Sequence, residues 1–188
     1  MTKKILQHQR ELKALQSDVL AGVQDLYYFD EVGFSLTPSV PYGWQPIGKR
    51  IEIPSSKSKQ INVLGFLNYQ SDSFHPYMVE GAVDASIVIT CVNWFCSKLS
   101  RPTTVVIDNA PIHTSAEFQS KIPEWEDRGL YFWFLPAYSP ELNLIERLWK
   151  QIKYSWLPLE AYQSFEKLNE TLAATLAKIG KTLRLNFN

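Results

Sequence analysis

Apolar positions along this chain recur with two periods, and the switches between them mark its elements. Ile5, Leu12, Leu15 and Val19 stand seven, three and four apart, which predicts an amphipathic helix over 3–20 that Gly22 stops. The run Leu26, Tyr27, Tyr28 and Phe29, closed by Asp30, predicts a buried strand over 26–30. Between 37 and 58, Pro38, Pro41, Gly43, Pro46, Gly48 and Pro54 break any period, so loops are expected around a short strand at 50–53. Segments 61–69 and 77–83 read as neighbouring strands joined by the polar turn 70–73. The apolar stretch 85–99 is long enough for a buried helix, and Pro102 marks the restart into a strand at 103–107. A second amphipathic helix is expected over 115–128, with Gly129 at its C-cap, followed by a strand at 130–135. On a helix over 143–156, Leu144, Ile145, Leu148, Trp149, Ile152 and Trp156 share one face, and Glu146 falls at that face's border. A last amphipathic helix is expected over 165–181.

At 188 residues and 45% apolar content the chain fits one domain with a substantial core. An aromatic content of 13% argues against disorder. No apolar run approaches the ~18 residues that span a bilayer, and the N-terminus runs directly into charged residues rather than a signal-peptide core. The expectation is a cytoplasmic protein without a membrane partner. Cys91 and Cys96 form neither a disulfide framework nor a zinc motif; about 140° apart on a helix, they read as packing residues. Nineteen basic against 19 acidic side chains give no net charge, unlike a stand-alone DNA-binding module. Local charge is uneven, however. Lys49, Arg50, Lys57 and Lys59 face only Glu52 in their segment; Arg147, Lys150 and Lys153 follow Glu146; Lys178, Lys181 and Arg184 lie near the end. Each cluster alone reads as a solvated face. Gathered around an acidic centre they would neutralise a nucleic-acid backbone.

Carboxylates at the ends of core elements supply that centre. Asp108 directly follows the 103–107 strand, at the carboxyl end where open α/β sheets put their sites, although an Asp-Asn pair there also makes an ordinary turn. Glu146 opens a helix after 37 intervening residues, where Asn143 and Glu146 equally match a capping box. Asp30 and Glu31 are adjacent and face opposite sides of their strand, so one reaches a site while the other pairs or lines its rim. An acid after an apolar strand also occurs in nucleotide hydrolases, but no Gly-x-x-x-x-Gly-Lys-Ser/Thr loop exists here. His113 could contact phosphate, move a proton or cap its turn. Trp44, in a Pro/Gly loop beside Lys49 and Arg50, either anchors that loop or faces DNA.

The order of elements, an antiparallel meander leading into alternating strands and helices, fits the ribonuclease-H-like layer architecture. Phe29-Asp30-Glu31, Gly43-Trp44 through Gly48-Lys49-Arg50, Asp108-Asn109-Ala110-Pro111-Ile112-His113 and Leu135 through Glu146 together resemble the catalytic domain of mariner-superfamily transposases, in their bacterial insertion-sequence branch. The likeness spans roughly residues 25–156. It implies an α/β fold, retroviral-integrase-like, with a mixed five-stranded sheet flanked by helices. It also implies a DDE triad of Asp30, Asp108 and Glu146, with Glu141 the tempting wrong choice for the third acid. Asn109, Asn143 and Glu31 would support the triad, and Trp44, Lys49, Arg50, Lys57, Lys59, His113, Arg147, Lys150 and Lys153 would touch DNA. Two Mg²⁺ ions, replaceable by Mn²⁺, would be held by the three acids and serve strand cleavage and strand transfer. Ala137 and Leu144 stand where the family usually has Pro, which predicts a looser helix start. The expected organisation is a linker helix over 1–22, a catalytic core over 23–156 and a C-terminal helix within 157–188. Expected partners are transposon-end and target DNA, a separately encoded helix-turn-helix part, and a second copy when assembled on DNA. The alternatives are a nuclease that cuts without joining, and an inactive remnant that bridges DNA or dimerises.

Overall fold

A computed structural model, which describes residues 3–39, 47–48, 52–53, 59–136 and 139–185, keeps the expected order of elements. Helix α1 (Lys3–Leu20) ends where Gly22 takes a positive φ of 74° and its N–H bonds back to the Val19 carbonyl. Strand β1 (Asp25–Phe34) follows, then β2 (Ile61–Asn68), β3 (Phe74–Glu80), helix α2 (Ala85–Cys96), β4 (Thr103–Ile107), α3 (Ala116–Asp127) and β5 (Leu130–Phe134). Asp84 and Ser115 cap α2 and α3 by accepting the N–H of Ile87 and of Phe118. Helix α4 (Ile145–Gln151) and helix α5 (Phe165–Leu176) complete the main elements.

The five strands form one mixed sheet in the order β3-β2-β1-β4-β5. β1 pairs antiparallel with β2 and parallel with β4, and β4 pairs parallel with β5. Helices cover both faces, each over its own core. One core joins Leu12 and Val19 of α1, Leu26 and Tyr28 of β1, Ile145, Leu148 and Trp149 of α4, and Leu168 and Leu172 of α5. The other joins Phe29, Leu64 and Phe66 to Val88, Val92 and Phe95 of α2 and Phe118 and Trp125 of α3. Cys91 and Cys96 are free thiols packed there. Among the described residues no helix is long and apolar enough to cross a membrane.

Five expectations need correction. β1 does not stop at Asp30 but runs on to Phe34, because β2 pairs with it along that whole length. β3 begins at Phe74, earlier than the hydrophobic pattern implies, since Asn68 folds the preceding turn tightly by accepting the N–H groups of Gln70 and Ser71. The helix expected over 143–156 is two pieces, α4 and a π turn at Ile152–Trp156, and a separate 3₁₀ turn at Pro140–Leu142 precedes them. α5 ends at Leu176, ahead of a turn in which Gly180 takes a φ of 75°. Of the short strand expected at 50–53, residues 52 and 53 are not strand and the other two lie outside the described residues.

Candidate active site

The sheet sets two acids side by side. The parallel pairing of β1 with β4 runs to Tyr28 opposite Val106, and the same register carried two residues further brings Asp30 abreast of Asp108. Alternation along β1 sends Asp30, like Leu26 and Tyr28, to the face covered by α4, and Glu31, like Phe29, to the opposite face. α4 buries Ile145, Leu148 and Trp149, and Glu146 borders that stripe. Asp30, Asp108 and Glu146 thereby line one cleft of about 420 Å³, with Asn109, Ser139 and Asn143.

Two asparagines brace the rim. Asn143 donates from Nδ2 to the Phe29 carbonyl at 3.2 Å, and the Asn109 amide donates to the Leu135 carbonyl, tying the ends of β4 and β5. The capping-box reading of Asn143 is not met: α4 has no side-chain cap, and Asn143 donates from Nδ2 to β1 while its Oδ1 accepts no N–H among the described residues. Ser139 Oγ and Asn143 Oδ1 are buried and without hydrogen-bond partners among the described residues.

Asp30 and Asp108 are held differently. Trp149 donates its indole N–H to Asp30 Oδ2 at 3.2 Å. Gly65 stands opposite Asp30 in the register and leaves room for that ring: a Cβ there would come within 2.9 Å of the indole and 2.5 Å of Phe74. Burial, then the charges of Glu31, Glu146 and Asp108, push the Asp30 acid up to about 8. Asp108 Oδ1 accepts the Ala110 N–H at 3.0 Å and His113 Nδ1 at 2.7 Å; a carboxylate only accepts, so Nδ1 carries the proton. The His113 bond is the main reason the Asp108 acid lies below its ordinary value. His113 Nε2 lies 3.5 Å from Glu31 Oε2, an ion-pair distance rather than a hydrogen bond. Burial draws the imidazole down, but its contacts with Asp108 and Glu31 outweigh that and lift it to about 9.

His113 is 0% exposed, so it stands behind Asp108 and is closed to DNA, contrary to its expected role on a DNA-facing surface. Arg147 and Lys150 are exposed on α4. Lys153 is partly buried on the π turn, its Nζ 5.4 Å from the centre of the Phe34 ring; burial lowers its basicity, while Glu146 and Asp30 oppose the shift. Lys59 is exposed, 5.6 Å above the Phe165 ring. Trp44, Lys49, Arg50 and Lys57 lie outside the described residues. Glu141 lines a separate cleft against α1. Sequence reasoning missed Ser139 and Trp149 as site residues. Trp149 was legible, since a buried indole needs an acceptor and position 149 is three after Glu146 on the same helix.

Among the described residues no three His, Cys, Asp or Glu side chains stand close enough to hold one ion between them. The donor set still suits a hard divalent cation: the acids are oxygen donors, and the neighbouring carboxylates that raise Asp30 create a field that a cation relieves.

A family model described as DDE superfamily endonuclease matches residues 25–169. A Shigella sonnei protein, described as an uncharacterized 39 kDa protein of insertion element IS630, is 27% identical over 154 residues, or 72% of this chain. The chain spans 39% of that relative's length. Among solved structures, the Mos1 mariner paired end complex with Mn superposes with a TM-score of 0.64 at 15% identity, over 96% of this chain and 57% of that one. The same complex with Mg gives 0.64 at 15%, over 94% and 56%. The catalytic core domain of BIV integrase gives 0.52 at 14%, over 86% of each chain. Likeness at these identities establishes the fold, the ribonuclease-H-like layering of integrase and transposase catalytic domains.

Proposed function

This chain belongs to the DDE superfamily endonucleases, as a catalytic domain of the mariner/IS630 type, and on that premise we propose that it cuts DNA strands and joins the freed ends to a target. The observation that carries the reading is the convergence of Asp30, Asp108 and Glu146 on one cleft, with Asp30 pushed up to about 8 by burial and by its fellow acids. Acids gathered at such a cost serve a purpose that a core residue would not.

Asp30, Asp108 and Glu146 would hold Mg²⁺, or Mn²⁺ in its place; the relatives solved as complexes with Mn and with Mg accord with this. Bound there, the ions supply charge for the scissile phosphate and activation of the attacking oxygen. The chain's own residues do the remaining work. Trp149, Ala110 and His113 fix one oxygen each of Asp30 and Asp108, so that the other oxygen is available to the cleft. Asn143 and Asn109 hold the rim, and Ser139 offers a buried hydroxyl with no protein partner. Arg147 and Lys150 on the helix that carries Glu146, Lys153 on the π turn after it, and Lys59 would receive the DNA backbone, and Trp44, Lys49, Arg50 and Lys57 are further candidates for DNA contact. End recognition would come from a helix-turn-helix part, with residues 1–22 as the connection, and a second copy would join on paired ends.

The test supplies labelled DNA with a pre-cleaved 3′ end, a plasmid target and Mg²⁺. The expected result is a joined product that Asp108→Asn and Glu146→Gln each reduce by roughly 10²–10³-fold. Cleavage without joining would make the chain a nuclease. Full activity in both variants would end the assignment.

A further inference from the structure

We infer that His113 is a positioning residue that fixes the Asp108 carboxylate from behind, braced in turn by Glu31, so that Asp108 offers the cleft a single oxygen, Oδ2. The inference rests on the reading of the cleft as a metal site and adds how one ligand is set.

Asp108 Oδ1 accepts two hydrogen bonds from the chain itself, from the Ala110 N–H at 3.0 Å and His113 Nδ1 at 2.7 Å. No donor among the described residues reaches Oδ2. The carboxylate is thus clamped at one oxygen and open at the other, which favours one-point over two-point ligation.

The ring that clamps it has little freedom. His113 is fully enclosed, with the Phe29 ring 5.6 Å and the Phe118 ring 5.8 Å from its centre. Its backbone is held at both ends: its N–H donates to the Ala110 carbonyl at 3.0 Å, and its carbonyl accepts Gln119 Nε2 at 2.8 Å. On the far side, Nε2 and Glu31 Oε2 are both buried without hydrogen bonds, 3.5 Å apart. The Glu31 side chain is 25% exposed, but its Oε2 is turned inward, and the group that oxygen faces is the ring that holds Asp108. Adjacent residues of β1 therefore divide the labour: Asp30 enters the cleft, and Glu31 backs the neighbouring ligand through His113. Outer partners of this kind orient a ligand, and their loss typically costs about 10–100-fold in metal affinity.

The test is a Mn²⁺ titration of the whole chain, read by the loss of free-ion paramagnetic resonance, with folding checked by circular dichroism. His113→Leu is expected to weaken Mn²⁺ binding about 10–100-fold, and Glu31→Gln about tenfold or less. His113→Asn sets an amide nitrogen near the place of Nδ1 and recovers most of the loss; His113→Gln sets it near Nε2 and does not. A folded His113→Leu protein with the wild-type midpoint would overturn the inference. Should that variant not fold, equal affinities for His113→Asn and His113→Gln would overturn it instead. Asp108→Asn separates the two levels: its loss of Mn²⁺ beside unchanged His113 variants sinks only the positioning role, while wild-type binding by Asp108→Asn sinks the metal site as well.

Discussion

Asp30 and Asp108 stand abreast on adjoining strands, yet their surroundings oppose each other. Asp30 meets a neutral indole, the wall of α4 and three other carboxylates, and burial with those charges drives its acid up to about 8. Asp108 meets an imidazole and a backbone N–H, and its acid is drawn below the ordinary value. One carboxylate is thus held ionised by the fold. The acid of the other is pushed up by its burial and by its neighbours. The difference shows that the sheet supplies proximity, while the layers behind it set the charge state of each acid.

The largest effect that would break this contrast is on the metal-free protein. A raised carboxyl pKa means that the folded state binds the proton more tightly than the unfolded chain does. The stability this confers is complete below the unfolded value near 4 and is lost as pH rises through about 8. Asp30→Asn, which imitates the neutral acid, should therefore stabilise the fold by on the order of a few kcal/mol at pH 8, seen as a raised melting temperature, and by far less at pH 5. An equal shift at both pH values would mean that Asp30 is not strained. Gly65→Ala comes next. Its methyl collides with Trp149 and Phe74, and a loss of about 1–3 kcal/mol in chemical denaturation is expected, together with reduced cleavage.

Trp149→Phe is milder, because the ring stays and only the bond to Asp30 goes. About 1 kcal/mol of stability should be lost, and wild-type stability would show that the indole does not orient the acid. Glu141→Gln should change least, within about 0.5 kcal/mol of stability and with cleavage unaltered, since Glu141 is exposed in a different cleft. A collapse of cleavage in this variant, with Glu146→Gln active, would exchange the two glutamates.

The parts of this molecule that pack by one rule were legible in the sequence. β4, buried throughout, reads as a β-branched run, Thr103-Thr104-Val105-Val106-Ile107, and α3 lies between its Ser115 cap and Gly129. The misreadings fall beside the candidate site. β1 looked finished at Asp30 because two acids interrupt its apolar pattern, although β2 continues to pair with it. The helix around Glu146 kept its apolar period across an α segment and a π turn, since burial follows the side chains and not the backbone bonding. The burial of His113 had no local signal at all. It depends on Phe29 and Glu31 of β1 and Phe118 of α3 closing around it, which only the assembled sheet brings about.

The central claim is that Asp30, Asp108 and Glu146 hold divalent metal together. Calorimetric titration of the chain with Mn²⁺, in wild type and in Asp30→Asn, Asp108→Asn and Glu146→Gln, tests it most directly. The account predicts binding by the wild type that each single substitution weakens strongly while the fold, followed by circular dichroism, persists. Folded variants that bind Mn²⁺ as the wild type does would contradict it.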